Sequence, residues 1–235
     1  MKIIQEGPIS QLIFFPVLFP VNCYLVEEQV ELTLVDTALP FSYKNILQAA
    51  TKIGKPITRI VLTHAHDDHI GSLDKLKEML PDAKVYISKR DERLLRGDHT
   101  LDENEPNTPL RGGLPKRIKT SADVLLEEGD QIGSLKAIYT SGHTPGSMSF
   151  VEERTNAVIV GDAFQTRGGI AVAGDLRMFF PFPALATWNK EVALKSAKKI
   201  MSLNPSLLAV GHGEMLKNPQ KMIGNAIARF EKSLR

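Results

Sequence analysis

The run His64-Ala65-His66-Asp67-Asp68-His69 constrains the fold more than any other stretch of this chain, because it lies between two different periodicities. Before it, residues 58–63 carry the continuous apolar run Ile60-Val61-Leu62, the pattern of a strand buried on both faces. After it, Ile70, Leu73, Leu76 and Leu80 recur at helical spacing over residues 70–80. The run therefore occupies a strand-to-helix turn, the place where α/β proteins build sites. In extended backbone His64 and His66 share a face and can grip one metal ion. A turn after His66 then aims Asp68 and His69 at a neighbouring ion. Imidazole nitrogen and carboxylate oxygen suit borderline divalent metals such as zinc, with no thiolate required.

The same context recurs at Ser141-Gly142-His143-Thr144-Pro145-Gly146, Gly161-Asp162-Ala163 and Gly211-His212-Gly213, each after an apolar stretch that reads as a strand (residues 135–139, 157–160 and 207–210). Five of the six histidines are thus used at strand ends. The sixth, His99, lies in a polar excursion over residues 97–120 and reads as exposed, with substrate contact as the alternative. Further strands are expected at residues 12–15, 22–26, 31–35, 84–87, 124–126 and 147–151. Helices are expected at 41–53, 89–95, 188–203 with Thr187 as the cap, and 219–230. The chain divides into two similar halves, each with strands first and helices after, which suits two sheets packed face to face with helices outside.

Bulk properties narrow the function. With 235 residues the chain reads as one domain over 1–235. A formal net charge of +2 gives no basic tract to follow a phosphate backbone, so no nucleic-acid partner is expected. The single cysteine, Cys23, excludes an internal disulfide framework and reads as a buried strand residue in a reducing, cytoplasmic setting. Pro16, Pro20, Gln11 and Asn22 interrupt the apolar stretch 9–26, so no membrane anchor is expected. The expected partner is a small-molecule substrate, and a homodimer is compatible with the composition.

The segment THAHDDHIGS, Thr63 to Ser72, matches the H-x-H-x-D-H signature of the metallo-β-lactamase-fold hydrolase superfamily, and the chain resembles that family from Val35-Asp36-Thr37 to Gly211-His212-Gly213. The resemblance implies an α/β four-layer αββα sandwich, two mixed sheets face to face with helices outside. It implies that His64, His66 and His143 hold a first metal, that Asp68, His69 and His212 hold a second, and that Asp162 bridges them. Asp36 lies on no ligand slot and would orient the ligand loops by hydrogen bonds. Asp67 falls between ligands and reads as solvated, and the Thr63 hydroxyl and Ser141 read as loop-structuring groups.

Two divalent ions, zinc first with iron or manganese as alternatives, would lower the pKa of a shared water from about 16 towards 7. The expected function is a binuclear metal-dependent hydrolase in which a metal-bridging hydroxide cleaves a small ester, lactone or thioester. Asp68 would serve catalysis by orienting the nucleophile or carrying a proton to the leaving group. Gln165 stands where lactonases of this family carry tyrosine, and only a short tail follows His212 where glyoxalase-type thioesterases add a helical region. Asp162 argues against a true β-lactamase. The alternatives are an iron-dependent persulfide dioxygenase-like oxidoreductase and an RNA-processing nuclease of the same fold. For substrate contact, the apolar segment 178–183 offers Phe179 and Phe180, and Arg111, Arg167 and Arg177 could receive a carboxylate.

Overall fold

A computed structural model describes residues 1–116 and 118–235. Seven strands form the first sheet in sequence order: β1 (Lys2–Glu6), β2 (Ile9–Phe14), β3 (Val21–Glu27), β4 (Leu32–Val35), β5 (Ile57–Val61), β6 (Lys84–Ser88) and β7 (Val124–Leu126). Its first four strands are antiparallel and joined by short turns. From β4 onward the neighbours are parallel, and each crossover carries helix: α1 (Tyr43–Ile53), then α2 (Asp67–Ile70) with α3 (Leu73–Met79), then α4 (Lys89–Leu95).

The second sheet has the order β15-β14-β11-β10-β9-β8, built from β8 (Gln131–Ile132), β9 (Leu135–Tyr139), β10 (Met148–Glu152), β11 (Ala157–Ile159), β14 (Leu207–Ala209) and β15 (Leu216–Lys217). A two-stranded ribbon of β12 (Phe164–Gln165) and β13 (Ala171–Val172) follows β11. Helices α5 (Phe182–Leu185), α6 (Lys190–Ser202) and α7 (Gln220–Ser233) complete the second half.

Strand alternation sorts the apolar residues into three slabs, and three slabs require four layers. In β4, Leu32 and Leu34 pack with Ile46 of α1, Leu73 and Leu76 of α3 and Leu94 of α4. Val35, with Tyr24 and Val61, instead meets Met148, Phe150, Ile159 and Ala209 of the second sheet. In that sheet Val158 and Leu208 point the other way, into Ala193, Ala197 and Ile200 of α6 and Ile223, Ala226 and Phe230 of α7. Both faces of the central strands are covered, so β3 is buried from Val21 to Val26 and β4 throughout, Asn22 and Thr33 included. The architecture is the αββα sandwich that the sequence implies.

Three local readings need correction. The helical pattern over 70–80 is two helices, interrupted at Ser72, whose hydroxyl donates to Leu39 O (2.5 Å) and accepts from Tyr43 N (3.0 Å). One turn, α2, is thereby set apart to carry Asp67, Asp68 and His69. The cap of α6 is Asn189, not Thr187: Asn189 Oδ1 accepts from Val192 N at 3.0 Å, while the Thr187 hydroxyl donates to Pro183 O. The edge strands β1 and β15 and the short β8 carry too few apolar residues to stand out in sequence.

Phe150 is the largest fully buried side chain that the second sheet contributes to the slab between the sheets. Phe150→Ala should cost ~3–5 kcal/mol, read as a fall in denaturant midpoint at unchanged slope. A loss below ~1 kcal/mol would show that the two sheets are not clamped through this slab.

Candidate metal centre

All seven residues singled out as ligands come together at the ends of β5, β9, β11 and β14, where the two sheets meet. His64, His66 and His143 form one group whose ligand atoms lie within 4.8 Å of one another; His64, His69 and Asp162 form a second, and Asp68, His69 and His212 a third. Every imidazole in the cluster is buried, and so is Asp162; Asp68 keeps part of its side chain in contact with solvent.

The hydrogen bonds behind the rings fix how each is presented. His69 Nδ1 meets Asp36 Oδ2 at 2.8 Å, His212 Nδ1 meets Pro20 O at 2.6 Å, and His66 Nε2 meets Arg111 O at 2.9 Å. These oxygens can only accept, so the facing nitrogen must carry the proton. His64 Nδ1 meets Thr63 Oγ1 (3.0 Å) and His143 Nδ1 meets Thr187 Oγ1 (3.2 Å); both hydroxyls spend their own protons elsewhere, on Asp36 and Pro183 O, and so accept too. With the outer nitrogens committed, the inner ones face the centre: Nδ1 for His66, Nε2 for the other four.

The inner atoms fit a cation. His64 Nε2, His69 Nε2 and Asp162 Oδ1 are buried with no hydrogen-bond partner. His66 Nδ1 and His143 Nε2 stand 2.9 Å apart as two lone-pair nitrogens, close to the roughly 3 Å that neighbouring ligands of one ion keep. Asp162 reaches both sides: Oδ2 is 3.3 Å from His143 Nε2 and 3.2 Å from His212 Nε2, and Oδ1 is 3.4 Å from His69 Nε2. Asp68 Oδ2 is 3.4 Å from His212 Nε2.

Electrostatics divides the rings into two kinds. Burial lowers His64 well below the ordinary imidazole range, with His69, His66 and His143 adding to it; burial likewise lowers His66 and brings His143 down to about 3. Burial also works against a proton on His69 and His212, but nearby carboxylates, Asp162 foremost, overcome it and raise both. In return, and against their own burial, Asp162 is held well below the usual carboxylate range by His212, His69 and His143, and Asp68 is lowered by His69 and His212.

Asp36 occupies left-handed backbone (φ 61°) directly after β4, a conformation that aspartate tolerates better than most residues. From there its carboxylate accepts from Thr63 N, Thr63 Oγ1 and His69 Nδ1, each at 2.8 Å. It thus ties both ends of the 63–69 loop. Gly211 marks the tightest approach: a Cβ there would fall 2.0 Å from Asp162 Oδ1.

Sequence reading missed Asp91. This fully buried residue of α4 accepts from Ala65 N (3.0 Å), Thr144 Oγ1 (2.7 Å) and Gly146 N (2.8 Å), joining the first ligand loop to the loop that carries His143. Burial raises its pKa to about 6 despite these donors. The available signal was Ser88-Lys89-Arg90-Asp91, a helix-start pattern; Ser88 does cap α4, accepting from Asp91 N, but the pattern says nothing of the two loops.

A cavity of ≈ 750 Å³ opens over the cluster. His66, Asp68, His143, Asp162 and His212 form its floor. Phe19, Phe182, Pro183, Leu185 and Ala186 form one wall; Gly112, Gly113, Lys116 and Ile118, with Leu39 and Pro40, form the other. The excursion 97–120 therefore serves as a strap: Trp188 Nε1 donates to Thr108 O, Asp67 N to Gly113 O, and His66 to Arg111 O. Gly112 is required where it crosses His66, with φ 91° and a Cβ that would lie 2.6 Å from His66 Nε2.

The expected substrate contacts are corrected here. Phe179 is 87% exposed and lines no part of this cavity; Phe180 is buried behind the wall, its ring 5.2 Å from Phe19 and 5.3 Å from Phe182 and His212. Their neighbours Phe19 and Phe182 face the cavity in their place. Arg111 contributes its carbonyl oxygen, Arg167 donates to Val17 O and Arg177 to Ile170 O, and none of the three lines the cavity; nor does His99, which is exposed.

The metallo-beta-lactamase superfamily profile matches residues 16–212. The chain belongs to this superfamily, most of whose members are hydrolases. A Bacillus subtilis protein, YobT, is 57% identical over 99% of this chain and 100% of its own. The hydroxyacylglutathione hydrolase GloC of Haemophilus influenzae is 26% identical over 83% of this chain and 86% of its own. Among solved structures, the di-iron-bound form of TTHA1623 is similar with a TM-score of 0.67 and 25% identity, covering 90% of this chain and 96% of its own.

Asp91→Asn would set an amide NH₂ against a backbone or hydroxyl donor. Metal affinity, measured by competition with a chromogenic chelator, should fall on the order of 10- to 100-fold. An unchanged affinity would show that Asp91 only supports the fold.

Proposed function

We propose that the chain is a binuclear metal-dependent hydrolase that cleaves a small ester, lactone or thioester. The observation that carries this reading is the position of Asp162, whose one carboxylate lies within 3.2–3.4 Å of ring nitrogens from both ligand sets. His64, His66 and His143 would hold one ion, Asp68, His69 and His212 the other, with Asp162 shared between them. Bound divalent ions would supply Lewis acidity and bring the pKa of coordinated water from about 16 towards 7. The all-nitrogen-and-oxygen donor set favours zinc, and the di-iron form of TTHA1623 makes iron the alternative.

The chain's own residues supply the rest. Asp68 lines the cavity floor and is held as a carboxylate, so it can take a proton from attacking water and return it to the leaving atom. Asp36 and the carbonyls behind His66 and His212 hold the imidazoles in one tautomer and one orientation. The apolar walls limit water around the scissile bond. GloC is named for hydrolysis of a glutathione thioester, which supports a thioester within the substrate class.

Protein purified without added metal should carry two ions per chain and hydrolyse thioester or lactone substrates. Fewer than two ions together with no turnover would sink the proposal. Asp162→Asn should lose more activity than the roughly 10- to 100-fold that outer partners of metal ligands cost. Metal at about 100 times its Kd should stabilise the chelated protein by ~2.7 kcal/mol for each ion bound, read as a rise in Tm on titration.

A further inference from the structure

We infer that the substrate carries an apolar group, of the order of a phenyl ring or a four- to six-carbon chain, directly attached to its scissile ester or thioester; this rests on the hydrolase reading above. Three aromatic rings build one wall beside the metal centre. Phe19, Phe180 and Phe182 pack mutually with centroids 5.0–5.3 Å apart, and two of them also pack on a ligand ring: Phe19 at 5.5 Å and Phe180 at 5.3 Å from His212. Such tilted and edge-on contacts hold the rings as one rigid surface. That surface begins at the metal centre, so whatever rests on it lies within a few bonds of the reacting atoms.

The outer end of the wall has no protein covering. Phe182 is 51% exposed and Leu185 58% exposed, although both sit in α5 beside the buried Pro183 and Ala184. An aromatic ring braced on its inner side and open on the cavity side is a preformed surface for an apolar ligand, with little ordering cost on binding. Across the cavity, Leu39, Pro40 and Ile118 continue the apolar lining, and Asp67 and Lys116 are the only charged side chains on the walls above the floor among the described residues. A polar, multiply charged leaving group such as glutathione would find few partners here.

The test uses the metal-loaded protein with the methyl thioesters of acetate, butanoate and hexanoate, benzyl thioacetate and a hydroxyacylglutathione thioester, followed by release of free thiol. The hydrophobic gain predicts that kcat/KM rises roughly three- to fourfold per methylene buried, on the order of 80- to 250-fold from acetate to hexanoate if all four are buried, with a comparable gain if the benzyl side occupies the wall. Phe182→Ala and Leu185→Asp should cut the ratio of the apolar thioester to acetate at least tenfold. Phe179→Ala, a nearby residue off the cavity, should leave that ratio as it is.

A flat profile among active substrates, a ratio unmoved by the Phe182 and Leu185 changes, or faster turnover of the glutathione thioester than of every apolar thioester overturns the inference while leaving the hydrolase reading intact. No metal-dependent turnover of any substrate, acetate included, overturns both. If Leu185→Asp converts a dimer to a monomer in sedimentation and the ratio does not change, the exposed residues are covered by a second copy and the inference falls.

Discussion

Two carboxylates that never face the cavity hold the centre together. Asp36 gathers both ends of the 63–69 loop, and Asp91 fastens the middle of that loop to the one carrying His143. Each is buried, so each unpaired oxygen would be costly, and the donors they meet are chiefly backbone amides and hydroxyls that cannot swing away. The ligand loops are therefore tied to one another and to the sheets by the protein's own hydrogen bonds. This matters because the rest of the fold, two sheets and two helical layers, only delivers the strand ends to within reach; it does not orient rings.

The centre also shows how a fold tolerates five buried imidazoles. Neutral His64, His66 and His143 lie on one side, and carboxylates compensate His69 and His212 on the other. Lone pairs brought face to face, as in His66 and His143, are unfavourable unless a positive charge lies beside them. A chain selected only for stability would have no reason to place them so.

The fold was legible because the central strands are mostly apolar and the longer helices keep clear periodicity. The ligands were legible because histidine is scarce here and nearly all of it follows strands, and the family signature then ordered them. What stayed hidden depended on distance in the chain. Asp91 is an ordinary helix-start aspartate until the fold brings Thr144 and Gly146 against it. The wall reading landed in the right segment but on the wrong residues: alternation within Met178-Phe179-Phe180-Pro181-Phe182 cannot be known before α5 forms, and Phe19 comes from a different loop altogether. Arg111 shows a further limit, since its role runs through a backbone carbonyl that side-chain chemistry cannot reveal.

The strap across the cavity is tied to the second half of the molecule through Trp188, whose indole donates to Thr108 O while its backbone amide donates to His143 O. It is the sole tryptophan in the chain. Nature has thereby placed the protein's one strong intrinsic fluorophore between the strap and a ligand loop. With no competing signal from another indole, its emission is placed to report changes at either of those two contacts in the unmodified chain.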